Sequence, residues 1–223
     1  MRLAQELVLG IGGVRVLDEL GIEPEVWHLN EGHSALLQFE RMRQAAESRE
    51  LDLAGAIEAV KGSTVFTTHT PVPAGNEVFE RDLVSKYLAP WREALSASEQ
   101  DILSLGSRDG QGGTHEPFNL TALAIRTSRS TNAVSLLHGE VSNDMWRHLF
   151  EGAGPEEEPV TSVTNGVHVS TWLGPPFMNS WMTCFARGAN RSGTPATRSS
   201  NRAPTAVLGR TVPGEPGLPG SAA

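Results

Sequence analysis

Ser63-Thr64-Val65-Phe66-Thr67-Thr68-His69-Thr70-Pro71-Val72-Pro73-Ala74-Gly75 (residues 63–75) reads in two parts. Positions 64–68 are β-branched or aromatic without a break, the signature of a buried strand. The chain then runs straight into a loop punctuated by Pro71, Pro73 and Gly75. A buried strand that delivers a histidine and threonines at its carboxyl end places hydrogen-bonding side chains where open α/β sheets collect ligands.

The flanking sequence supplies the rest of such a sheet. Upstream, Glu25-Val26-Trp27-His28-Leu29 is a short strand, followed by helical stretches over 34–50 and 51–60. Residues 1–20 read as a helix interrupted or restarted at Gly10-Ile11-Gly12-Gly13, with Gly21 as its C-cap. Downstream, helices are expected over 79–95, 119–128 and 134–149, and a strand over 160–164 leads to Asn165-Gly166. Helices alternating with short buried strands indicate an α/β layer fold with a largely parallel sheet. Three loops then fall at strand ends: 29–33, 68–75 and 164–168.

Composition sets the limits. The chain has 223 residues, 39% hydrophobic and 20% charged, with a net charge of −8. That balance fits a globular protein and argues against a nucleic-acid footprint. A single cysteine, Cys184, excludes an internal disulfide framework. No apolar run reaches the roughly 20 residues of a membrane span, and the N-terminus lacks the features of a secretory signal, so a cytoplasmic protein is expected. The N-terminus reads as if it starts inside a helix.

The character changes near Phe177. Half of residues 178–223 are Ala, Gly, Pro or Ser, with no Lys, Asp or Ile and one acid, Glu215. Such a segment buries too little apolar surface to offset its ordering entropy, and disorder is expected from about residue 186. A sharper reading is a frameshift: under one codon choice, MNSWMTCFARG read two bases later becomes the amphipathic ELMDDVLREG. The expected domains are therefore 1–177, folded, and 178–223, a low-complexity tail.

Each chemistry-bearing segment also has a structural reading. Gly10-Ile11-Gly12-Gly13 suggests a phosphate cradle, but no strand precedes it and the third glycine of a dinucleotide fingerprint is missing, so helix packing or a sharp local turn is the expectation. His28 and His33 are five apart and form no HExxH metal motif, so no metal site is expected. His69 both donates and accepts, which suits sugar hydroxyls as well as a packed core. Asn165-Gly166 is a tight turn or a sugar-binding amide.

In order along the chain, RLAQELVLGIGGVRVLDELGI, EVWHLNEGHSALLQFERMR, VFTTHTPVPAGNEVF, FNLTALAIRTSRSTNAVSLLHGEVS and VTNGVHVSTWLGPPF resemble the α-glucan (glycogen or maltodextrin) phosphorylase family, bacterial type. The resemblance covers most of residues 2–177. It implies part of the Rossmann-like N-terminal domain of a two-domain, GT-B-type glycosyltransferase. It implies phosphorolysis of α-1,4-glucans by inorganic phosphate, releasing glucose 1-phosphate, with pyridoxal phosphate as a cofactor whose phosphate serves the chemistry. By resemblance, His69 contacts the reacting glucosyl unit and steadies a cationic transition state, and Asn165 hydrogen-bonds sugar hydroxyls. Val134 binds sugar through its carbonyl, and Glu31 and His33 line the pocket beside the anomeric carbon. The family often has glycine where this chain has Ala133.

The family's cofactor lysine and phosphate-binding basic residues belong to a C-terminal domain, and its early glycine-rich loop has no match here. The expectation is a fragment that neither binds pyridoxal phosphate nor turns over by itself. The alternatives are a stand-alone glucan-binding module, a nucleotide-sugar glycosyltransferase and a pseudogene product. An unpaired strand edge, an uncovered apolar face and poor solubility are also expected.

Overall fold

The computed structural model describes residues 2–108, 116–150 and 157–172, with single positions at 152, 154, 174, 177, 179, 180 and 183. The chain divides into two compact units, Met1–Gly166 and Val167–Ala223.

The first unit opens with α1 (Arg2–Glu19), which runs unbroken through its glycines. The expected interruption does not occur. A Cβ on Gly10 would come within 2.6 Å of the Leu37 amide nitrogen and 3.0 Å of the Ser34 carbonyl oxygen, so this glycine serves a close approach of the helix to the chain beside it. The helix closes at Gly21, φ +65°. Gly21 N donates to Asp18 O and Ile22 N to Leu17 O, both at 2.9 Å, a Schellman pair that satisfies two terminal carbonyls.

Strand β1 (Trp27–Asn30) follows, then a 3-10 turn (Gly32–Ser34), α2 (Leu37–Arg49) and α3 (Leu53–Lys61). Asp52 caps α3, its Oδ1 accepting from Gly55 N at 2.8 Å. Strand β2 (Thr64–Thr67) leads through a 3-10 turn (Pro73–Gly75) to β3 (Val78–Phe79), α4 (Arg81–Ala94) and α5 (Glu99–Leu105). After β4 (Phe118–Asn119) come α6 (Leu120–Arg126), β5 (Ser130–Ala133), α7 (Leu136–Trp146), a 3-10 turn (Arg147–Leu149) and β6 (Val160–Ser162).

The architecture is α/β. Strands β1, β2, β5 and β6 form one parallel sheet in that order, with Leu29 beside Phe66, Phe66 beside Thr131 and Thr131 beside Val160. This row is almost fully buried and faces a core that includes Phe39, Met42, Val60, Leu120, Leu123 and Trp146. Burying a Leu or Phe of this kind contributes about 2–3 kcal/mol each. The opposite face carries exposed His28, Asn30, Ser130 and Thr161. It is therefore largely polar. Exposed apolar side chains lie elsewhere, on α1 (Val8, Leu9, Val16) and at the start of α7 (Leu136, Leu137).

Four elements were not legible beforehand. Strand β5 is the polar tetrapeptide Ser-Thr-Asn-Ala, and the helix expected from Val134 starts only at Leu136, with Ser135 as its cap. Strands β3 and β4 pair antiparallel over two residues each. Helix α5 is short but carries a complete capping box between Ser98 and Asp101.

In the second unit, α8 (Val169–Trp172) is described. The disorder expected from about residue 186 falls outside the described residues, as does all of the low-complexity tail 178–223 except positions 179, 180 and 183. No helix among the described residues is long and apolar enough to cross a membrane.

Candidate functional site

Parallel pairing puts the carboxyl ends of all four main strands on one edge of the sheet. Glu31 directly follows β1, His69 comes two residues after β2, Val134 directly follows β5 and Asn165 comes three residues after β6. His33 lies in the 3-10 turn beyond Glu31. All five candidate residues thus fall in one row of strand-end loops, although they are scattered over 135 positions of sequence.

Glu31 holds the β2 loop. Its backbone is in the left-handed region, φ 67°, which a β-carbon makes unfavourable. That conformation accompanies a dense set of contacts. Glu31 Oε1 accepts from the backbone amides of His69 and Thr70, the latter at 2.9 Å, and from Thr68 Oγ1 at 3.3 Å. Oε2 accepts from Gly32 N at 3.4 Å. The carboxylate therefore grips two consecutive amides of the loop that presents His69, whose own side chain is exposed.

Val134 and Asn165 meet through the backbone. Asn165 N donates to Val134 O at 3.4 Å, and Val163 N to Ala133 O at 2.9 Å, which tethers the β6 loop to the end of β5. A carbonyl oxygen has two lone pairs, so Val134 O retains an acceptor site. The Asn165-Gly166 step adopts no tight turn. The two halves of the row are joined by Thr68 N, which donates to Asn132 O at 2.9 Å. Beneath the loops, Thr67 Oγ1 donates to Asn132 Oδ1 at 2.8 Å and meets His28 Nε2 at 2.7 Å, a polar chain across three strands. Thr68 is one of the threonines expected at this strand end, whereas Asn132 is a part of the site that the sequence did not announce.

His33 belongs to a charged cluster. Arg2 Nε lies 3.1 Å from Glu6 Oε1 and 2.6 Å from Glu77 Oε1, and His33 Nδ1 lies 3.5 Å from Glu77 Oε2. Burial, reinforced by hydrogen bonding to Glu77, pushes the Glu6 carboxyl up to about 7. Burial also works to raise Glu77, but hydrogen bonds with Glu6 and Arg2 outweigh it and hold Glu77 below the usual carboxylate range. Glu6, His33 and Glu77 bring potential ligand atoms within 4.8 Å of one another. With the Glu6 carboxyl held up to about 7, the Arg2 guanidinium balances the charge of Glu77.

The chain has two lysines. Lys61 ends α3 and lies 3.5 Å from Glu58, and Lys86 lies within α4; neither follows a main-sheet strand.

No family model matches the chain. Relatives do. The maltodextrin phosphorylase of Thermococcus litoralis is 49% identical over 172 residues, which is 77% of this chain and 20% of that protein. The glycogen phosphorylase of Mycobacterium tuberculosis is 41% identical over 188 residues, 79% of this chain and 21% of that protein. The glycogen phosphorylase of Aquifex aeolicus is 32% identical over 173 residues, 78% and 24% respectively. The chain spans about a fifth to a quarter of the length of these curated relatives.

Proposed function

The chain belongs, over the stretch it shares with those relatives, to the maltodextrin and glycogen phosphorylase family, and from that premise we propose that it forms part of the glucan-binding side of an α-1,4-glucan phosphorylase. In that reaction the bond between a terminal glucosyl C1 and the next sugar's O4 breaks. The O4 leaves with a proton, and an oxygen of inorganic phosphate bonds to C1, giving glucose 1-phosphate. The observation that supports this reading most is the row of Glu31, His33, His69, Val134 and Asn165 along the carboxyl edge of one parallel sheet.

In this reading His69 and Asn165 hydrogen-bond hydroxyls of the reacting glucosyl unit, and the Val134 carbonyl accepts from another. His33 lines the space beside the anomeric carbon. Glu31 acts through His69: by holding the His69 and Thr70 amides it fixes the loop before sugar arrives, so less ordering entropy is lost on binding. Pyridoxal phosphate, when bound to the intact enzyme, supplies a phosphate group beside the sugar. Neither Lys61 nor Lys86 follows a strand of the main sheet, and in this reading the cofactor's anchor belongs to the part of the relatives' length that this chain does not span. The Rossmann-like, two-domain architecture and the cytoplasmic setting belong to the same proposal.

Electrophoresis of the full 223-residue chain in gels containing glycogen tests the reading. Retardation that disappears in H69A and N165A is expected. Mobility unaffected by glycogen would count against it.

A further inference from the structure

Arg41 is buried, 8% exposed, on α2. Among the described residues no carboxylate is paired with its guanidinium. Its partners are neutral: Nη1 donates to Gln38 Oε1 at 2.9 Å and Thr64 Oγ1 at 2.6 Å, and Nη2 to Ser63 Oγ at 2.6 Å. The ring of Trp27 lies 4.7 Å away. Burial alone, with no acid to offset it, pushes this guanidinium down to about 10. The neighbouring acid cannot serve: Glu40 accepts from Arg15, Arg43 and Trp91. A buried cation is costly unless it is paired, so an uncompensated one points to a missing anion.

Space for that anion exists beside it. Trp27, Arg41, Gln44, Ser48, Arg49 and Ser63 line a pocket of about 350 Å³ whose lining contains no acidic residue. In a chain of net charge −8, a pocket with two arginines and no acid is set apart from the rest of the surface. Trp27 opens β1 and Ser63 immediately precedes β2, so the pocket lies at the amino ends of the strands, opposite the candidate sugar site.

We propose that this pocket is an oxyanion site, in which Arg41 and Arg49 hold a tetrahedral phosphate group while Ser48 and Ser63 hydrogen-bond its oxygens; the Gln44 amide, which donates to Asp18, closes the rim. The group is either inorganic phosphate or the head of a small phosphate monoester. Arg41 gives a fixed, dehydrated charge from below, and exposed Arg49 closes over the anion. The proposal does not depend on the glucan reading.

The test is calorimetric titration of the full chain with inorganic phosphate and, separately, glycerol phosphate at constant ionic strength. Saturable binding of one or both is expected, and the tighter of the two identifies the source. R49A, at an exposed position, weakens binding about fivefold, whereas R129A, at an exposed position outside the pocket, leaves it unchanged. R41M abolishes binding; if that variant does not fold, the contrast between R49A and R129A decides alone. Absence of saturable binding to the wild-type chain at tens of millimolar of either probe, or equal affinity in R49A and the wild type, overturns the proposal.

Discussion

Replacing Glu31 separates the contribution of its carboxylate from that of its backbone. In E31A the His69 and Thr70 amides and the Thr68 hydroxyl lose their shared acceptor. Hydrogen bonds to a charged group are worth about 1.5–3 kcal/mol each, but His69 is exposed and Thr70 half-buried, so water recovers much of that. The net loss is about 2 kcal/mol for the site as a whole. The φ of 67° is equally unfavourable for Glu and Ala and free for Gly, a difference of about 1 kcal/mol. E31G is therefore expected to be more stable than E31A by about that amount, reversing the usual order of the two residues. Urea denaturation of the three proteins reads both effects from the shift in midpoint at constant slope. An E31A within about 0.5 kcal/mol of the wild type, or an E31G less stable than E31A, would refute the reasoning.

Other consequences follow from the same geometry. Glu6 titrates near 7 in the folded chain against about 4.5 when unfolded, so the unfolded state gives up its proton first; the pair's contribution is full below pH 4.5 and declines as pH rises through 7. Glu77 acts in the opposite sense, losing its contribution as pH falls below the ordinary carboxylate range. The stability difference between wild type and E6Q, measured from pH 4.5 to 8, should fall with rising pH, and a flat difference would contradict the shift. G10A gains helix propensity of about 1 kcal/mol, yet the added Cβ meets backbone at 2.6 Å, so a net loss of at least about 1–3 kcal/mol is expected in thermal denaturation. S98A removes one half of the α5 capping box and should cost about 1 kcal/mol by the same assay.

What the sequence revealed depended on local pattern. Residues 64–67 were legible as a strand because every side chain is β-branched or aromatic, and Gly21 marks a helix end by its own chemistry. Residues 130–133 were not, because β5 is fixed by pairing with β2 and β6 rather than by its polar composition. The glycines of α1 suggested a break where the cause is a contact with residues 34–37, invisible in local spacing. The placement of Glu31, His33, His69 and Asn165 at strand ends followed from the alternation of elements, whereas that of Val134, expected inside a helix, did not. The grip of Glu31 on residues 38 and 39 positions away did not, since only the register of β1 against β2 creates it. Arg41 shows the same limit: on a helix with charged neighbours it reads as a solvated position, and only the tertiary packing of Thr64, Gln38 and Trp27 buries it.

The central claim is that the carboxyl edge of this sheet binds glucan. Titrating the 15N-labelled full chain with maltoheptaose while following backbone amide shifts tests it residue by residue. Saturable shifts concentrated at residues 31–33, 68–70, 134–135 and 165–166 are expected, reduced in H69A and N165A. Absence of saturable shifts, or shifts confined to α1, α4 and the amino ends of the strands, would contradict it.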